Sequence, residues 1–329
     1  MARSHLTLAA LATSAVPGLD VAAAARFGGT AGDFDASLIT GRDGRHWIIR
    51  APRTPQAEAV QSADLVALRA LSAGVRTRLP FAVSAFAGQA PIDGTRAIVY
   101  EFVYGTRLSL ASYGADAAAS VGTAIAAIHA LPTSFIADSG LPVLTAGECQ
   151  RACATIADRA AATGLLPAAL IGRWEQALED AKLWQFQPVV INGALHADSF
   201  LFADDAVTGV LGWQDLRVGD PARDLHWVLG SPADAVIDGV FDAYTAVRGQ
   251  GDRQLRQRAT LYAELEVAKW LLHGTEVRST EIVDDAVAML TALVDRMRAD
   301  VMNPLGAQTM PTATVDEVEA LLARSERAV

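Results

Sequence analysis

The sequence predicts an α+β chain of two lobes: a small β-rich N-terminal lobe, then a larger, mostly helical C-terminal lobe with an inserted β-hairpin. Three observations carry this. Strand-like runs around one helical stretch fill residues 1 to about 105. Helical spacing of apolar residues takes over from about residue 107. A β-rich insert, "PVVINGALHADSFLFADDAVTGVLGWQDL", then interrupts the helices. The boundaries follow as 1–105, 106–302 and a tail, 303–329.

The opening stretch, "MARSHLTLAALATSAVPGLDVAAAA", has one arginine, an apolar run and small residues, as a secretory leader does. Pro17 and Asp20 break it early, and its spacing also fits a short amphipathic helix ending at "VPG". A cytoplasmic location is the expectation. "ASLITGRDGRHWIIRAP" is two β-branched runs about Gly41 to Gly44, a hairpin pattern. Pro55 marks the start of a helix on which Val60, Asp64, Leu68 and Leu71 recur at helical spacing. "TRAIVYEFVYG" reads as a strand ended by Gly105.

In the second lobe, Val121, Ile125, Ile128 and Leu131 share one helical face. Residues 147–183 give one or two further helices. In the insert, strands "FLF" and "TGVLGW" meet at a turn through Asp204 and Asp205. Helices resume after "GDPARDL" and run to about residue 300. The tail holds Pro304, Gly306, Pro311 and a short amphipathic stretch, "VDEVEALLARSE".

Composition narrows the function. At 51% apolar and 19% charged, 329 residues suffice for two real cores. Net charge is −10 with no Lys/Arg run, which argues against nucleic acid or an anionic membrane as partner. An acidic surface tolerates a cationic small molecule. Cys149 and Cys153, four apart on one helix, lack the spacing of a redox pair or zinc site. Two half-buried thiols in a reducing compartment are expected.

Residues 190–225 are the most specific part of the chain. "NGALHADSFLF" runs from Asn192 to Phe202, "TGVLGW" from Thr208 to Trp213, and "GDPARDL" from Gly219 to Leu225. With "GRHWIIRAPRTPQAEAV" and "GTAIAAIHALP" upstream, these resemble the aminoglycoside/macrolide phosphotransferase family, nearest its macrolide 2′-phosphotransferase branch, over roughly residues 25–300. The resemblance implies a protein-kinase-like fold, ATP or GTP as nucleotide and a small-molecule acceptor. It also assigns roles. The motif's catalytic aspartate falls on Ala194, and its two magnesium ligands fall on Ser199 and Gly212. Its leading histidine has become Asn192. Magnesium prefers anionic oxygen ligands, so no magnesium is expected at these positions.

The remaining assignments are positional. Arg50 stands where kinases place the phosphate-binding lysine, and Asp64 is its expected helix partner. Gly28, Gly29 and Gly32 lie where a phosphate-covering turn belongs, although an ordinary loop reads the same. The backbone from Glu101 to Val103 would be the hinge facing a purine. Asp220 and Asp224 read as structural acids; Trp47, Trp213 and Trp227 read as core. Acids on the later helices, among them Glu264, Glu266 and Asp285, fit a cationic substrate or a solvated face.

Three readings stand. The first is a catalytically impaired pseudokinase that binds a nucleotide, a small molecule or a protein. The second is an active phosphotransferase whose metal site is rearranged around Asp198, with Asp215 or His196 nearby, although these also read as loop residues, His196 packing beneath. The third is an interaction protein whose pocket is closed.

Overall fold

The computed structural model describes residues 3–28, 32–249 and 251–299. Helix α1 (His5–Ala15) begins at Ser4, whose hydroxyl accepts the Thr7 N–H. Strands β1 (Val21–Arg26), β2 (Phe34–Gly41) and β3 (His46–Pro52) follow. Next come α2 (Pro55–Ala70), α3 (Ala73–Arg76), β4 (Ala82–Val83), β5 (Phe86–Ile92) and β6 (Thr95–Glu101). Five strands form one antiparallel sheet in the order β1-β2-β3-β6-β5.

Strand alternation gives this sheet two unlike faces. Ile39, Trp47, Ile49, Ala51, Ala97 and Val99 are buried and pack with Leu8 and Ala12 of α1. Ala36, Leu38, Ile48 and Arg50 point the other way and are half-buried.

Helix α2 starts as expected, with Pro55 in its first turn and Thr54 accepting the Ala57 N–H. Its buried stripe is Ala57, Gln61, Leu65 and Leu68, while Val60 is only half-buried. Gln61 explains the difference, because its amide donates to the Arg96 carbonyl at 3.0 Å and so takes a core position. Strand β6 ends at Glu101, short of Gly105. The Phe102 N–H makes the last bond to β3, at His46, and beyond it the chain turns to meet the hairpin of the second lobe.

That lobe contains α4 (Ala115–His129), α5 (Ser134–Asp138), α6 (Ala146–Ala162) and α7 (Ala168–Glu179). Strands β7 (Val189–Ile191), β8 (Phe200–Ala203), β9 (Ala206–Val210) and β10 (Arg217–Gly219) form the insert. Helices α8 (Asp234–Arg248), α9 (Leu255–Glu276) and α10 (Thr280–Ala299) complete the described chain. Asp204 and Asp205 form the β8–β9 turn with φ of 49° and 61°, left-handed values suited to a two-residue hairpin. Strand β9 stops at Val210, so Gly212 and Trp213 lie in a loop.

Helices α4 and α8 meet at Gly122, where a Cβ would fall 2.3 Å from the Val240 carbonyl oxygen. Only glycine permits that approach. Cys149 and Cys153 are unpaired and fully buried, deeper than the half-burial expected. Burial pushes their thiols up to about 11 and about 12, so neither is nucleophilic near neutral pH. One core cluster runs from Leu65 and Leu68 of α2 through Phe200 and Val210 into α4, α8 and α9. The lobes therefore share packing, and β4 also pairs in parallel with β9. The tail read at 303–329 lies outside the described residues.

Candidate functional site

Two loops meet through Asn192 and Gly212: residues 192–199 after β7, and 211–216 between β9 and β10. The first is held from behind. Asp224 is fully buried, and its two oxygens accept the Asn192 and Gly193 N–H groups, each at 2.7 Å. His129 of α4 lies 3.2 Å from the same carboxylate and 2.9 Å from the Tyr244 hydroxyl on α8. "GDPARDL" works as scaffold throughout. Asp220 caps the turn it opens by accepting the Ala222 N–H, and meets the buried Arg258 fork at 2.8 and 3.1 Å.

Asn192 joins the two loops. Its Nδ2 donates to the Gly212 carbonyl at 2.8 Å, and its Oδ1 accepts the Ala194 N–H at 3.1 Å. The second loop is tied in turn to α2, since Asp64 Oδ1 accepts the Trp213 N–H at 2.8 Å. A continuous polar chain thus runs from α2 through both loops to α4 and α8.

This corrects the expected Arg50–Asp64 pair, which does not close. Asp64 is short and is spent on the Trp213 amide, while the Arg50 guanidinium stacks 3.9 Å above the Phe34 ring. Burial pushes the Asp64 carboxyl up, against the pull of the Trp213 N–H and of Arg50. Tyr100 lies nearby with a buried, unpartnered hydroxyl.

At the motif positions, Ala194 is half-buried and offers only a methyl group. Ser199 is buried, and its hydroxyl accepts the His196 N–H at 3.3 Å. Gly212 has φ of 75°, and its carbonyl is occupied by Asn192. Asp198 is exposed; so is His196, which does not pack beneath the loop because Leu195 takes the inward place. Asp215 is turned to Arg217, 3.5 Å away. Among the described residues, no three His, Cys, Asp or Glu side chains converge as a metal-holding group.

The hinge is stitched to the hairpin below it. Thr106 and Phe202 exchange N–H···O bonds at 2.8 Å, and the Thr208 hydroxyl donates to the Tyr104 carbonyl at 2.9 Å. Val103 packs onto Gly209, where a Cβ would meet it at 2.4 Å. The Val103 N–H makes no hydrogen bond among the described residues. The Glu101 side chain turns outward to Arg45 at 2.7 Å. Both line a surface cavity of about 430 Å³ with Trp47 and the end of α1, on the face of the sheet away from the loops. Gly29 lies outside the described residues.

The later acids do not act as one cluster. Glu264 is buried against Arg173 and the Trp174 indole, and Asp285 accepts the Trp270 indole N–H at 2.8 Å. Trp47 and Trp213 are core, while Trp227 is half-buried against Phe200 and donates to the Asp224 carbonyl. Sequence reasoning missed His129, Arg217 and Arg223. A lone histidine on the otherwise apolar face of α4 was the available signal for the first.

The sequence model of the phosphotransferase enzyme family matches residues 29–271. No curated protein matches the chain. Among solved structures, the macrolide 2′-phosphotransferase MphH from Brachybacterium faecium, as apoenzyme, superposes with a TM-score of 0.69 at 24% identity, covering 83% of this chain and 94% of that one. A type I macrolide 2′-phosphotransferase gives 0.69 and 24%, covering 87% and 96%. The GDP complex of wild-type aminoglycoside 2′-phosphotransferase-IIIa gives 0.71 and 18%, covering 91% and 100%. At such identities the likeness establishes the kinase-like fold alone.

Proposed function

This chain belongs to the phosphotransferase enzyme family, and from that premise we propose that it is a degenerate member, a pseudokinase that binds a nucleotide without transferring its phosphoryl group. The observation that carries this is the use of the motif positions. Phosphoryl transfer needs a carboxylate beside the acceptor hydroxyl and a metal held against the phosphates. Ala194 has no acceptor, Gly212 no side chain, and the Ser199 hydroxyl is turned into its own loop. The residues at these positions do not fit a divalent cation.

The opposite side of the cleft keeps features that suit a purine nucleotide. Ala36, Leu38 and Ile48 offer a half-exposed apolar ceiling, and the hinge presents the unpaired Val103 N–H. Arg50 supplies a guanidinium free of ion pairs among the described residues. The structural neighbours include a streptomycin–ATP complex and GDP complexes of aminoglycoside phosphotransferases, which supports the same reading. The cellular compartment proposed is cytoplasmic; among the described helices none is long and apolar enough to cross a membrane.

Isothermal titration of the protein with non-hydrolysable ATP and GTP analogues, with and without magnesium, tests this. Binding that ignores magnesium is expected, together with no turnover. Magnesium-dependent turnover would overturn the proposal in favour of a site rearranged around the exposed Asp198. Absence of binding in every arm would favour an interaction protein.

A further inference from the structure

Beside Ala194, two guanidinium groups converge on Gly193. Arg223 Nε donates to the Gly193 carbonyl at 3.0 Å. The Arg217 side chain lies flat against the same glycine: a Cβ at Gly193 would fall 2.9 Å from its Nη2 and 3.0 Å from its Nε.

Arg217 is poorly satisfied. Its side chain is only 21% exposed, yet it donates no hydrogen bond among the described residues, and its Nε is buried without a partner. Its one ionic contact among the described residues is Asp215, at 3.5 Å and half-exposed. Burial first, and the charge of Arg223 second, push its pKa down. Arg223 is little better paired, reaching Glu266 at 3.5 Å while Glu266 is shared with Lys269. His226 and Lys269 border the same cluster, and Asp224 behind it is spent on two amides. A planar cation with five donors and none used is a costly thing to half-bury.

We propose that Arg217 and Arg223 anchor an oxyanion, the phosphate monoester or carboxylate of a small molecule, beside Ala194. The guanidinium forks match the planar or tetrahedral oxygens of such a group, and the two loose carboxylate contacts yield to it. Loss of an acid at residue 194 removes the charge that would compete for both arginines. The site is distinct from the nucleotide-phosphate position at Arg50, and it does not require a nucleotide to be bound.

The test is thermal unfolding of the full chain in sodium phosphate against sodium chloride, at equal pH and ionic strength, with acetate as a third arm. Phosphate is expected to raise the midpoint by roughly 3 °C at saturating concentration. A response to phosphate alone assigns a phosphate monoester, and an equal response to acetate assigns a carboxylate. Arg217→Met, which loses no hydrogen bond, should abolish the shift and keep the fold. Ala194→Asp should also suppress it by supplying a built-in counter-charge. Arg42→Met, at an exposed pair with Asp20, should leave it intact. No shift in the wild type, or a shift retained in Arg217→Met, overturns the proposal. So does a shift lost only in Arg50→Met, which would put the anion in the nucleotide-phosphate position.

Discussion

The two sides of the 192–199 loop are built on opposite terms. Behind it, Asp224, Asn192 and His129 are buried, and each of them has hydrogen-bond partners. In front, Ala194 is half-buried and His196 and Asp198 are exposed. Shape and chemistry are thus separable in this fold. A carboxylate clamping backbone amides keeps the loop in place whether or not the loop carries a catalytic acid. Buried polar networks are expensive to leave half-made, so the rear side persists as a unit.

If that contrast is right, damage behind the loop should be severe and change in front nearly silent. The largest effect is expected from Arg258→Ala, which leaves the buried Asp220 without its ion-pair partner: about 3–5 kcal/mol of stability lost by urea unfolding. Asp224→Ala strips the acceptor from two buried amides and should cost about 2–4 kcal/mol in the same measurement. A loss under about 1 kcal/mol in either would break the comparison.

Asp64 sharpens it through pH. Its folded carboxyl keeps its proton to higher pH than the unfolded one, whose ordinary value is 3.8. Its contribution to stability is therefore fully present below that value and declines as pH rises through the folded-state pKa. Asp64→Asn can still accept the Trp213 N–H without burying a charge. The variant should match the wild type near pH 4 and exceed it at neutral pH by roughly 1 kcal/mol. Unfolding curves at both pH values check this, and a variant weaker at neutral pH would show that the charge itself is needed.

The smallest effect is expected in front. Ala194→Asp should alter stability by no more than about 0.5 kcal/mol, because it enters a half-exposed position where any pairing with Arg217 and Arg223 is partly solvated and replaces contacts they already make at 3.5 Å. It should also fail to restore ATP turnover, since Ser199 and Gly212 still supply no metal ligand. Adding Ser199→Asn and Gly212→Asp should bring magnesium-dependent nucleotide binding, at a strain of about 1 kcal/mol for a side chain at a φ of 75°. Calorimetric titration of the triple variant measures that gain.

Much of the fold was legible in residue order. The hairpin at Gly41 to Gly44, the helix opened by Pro55, the α4 face and the Asp204–Asp205 turn all declare themselves through local rules, and all are present. Strand ends were less legible. Strand β6 stops short because its continuation pairs with the hairpin of the other lobe, and β9 because Leu211 and Trp213 give their N–H groups to Ser199 and the Asp64 side chain; no local pattern reports either. The candidate site divides the same way. Positions 194, 199 and 212 could be named from motif spacing, whereas the partner of Asp64 could not. The family resemblance implied Arg50; the actual partner, the Trp213 N–H, is 149 residues away in sequence and belongs to a backbone amide that no side-chain pattern reveals.

The sequence by itself therefore determined the order of elements, the two-lobed class and the absence of a carboxylate at residues 194, 199 and 212, because each is written in local periodicity or in residue identity. Only the tertiary structure decided which groups use the acids that remain. It gave Asp224 to two loop amides, Asp64 to the opposite loop, and left Arg217 and Arg223 crowded on Gly193 with only loose acid contacts at 3.5 Å. The physical reason is that a buried charge takes whichever partner the packing brings within about 3 Å, and packing is a property of the whole chain.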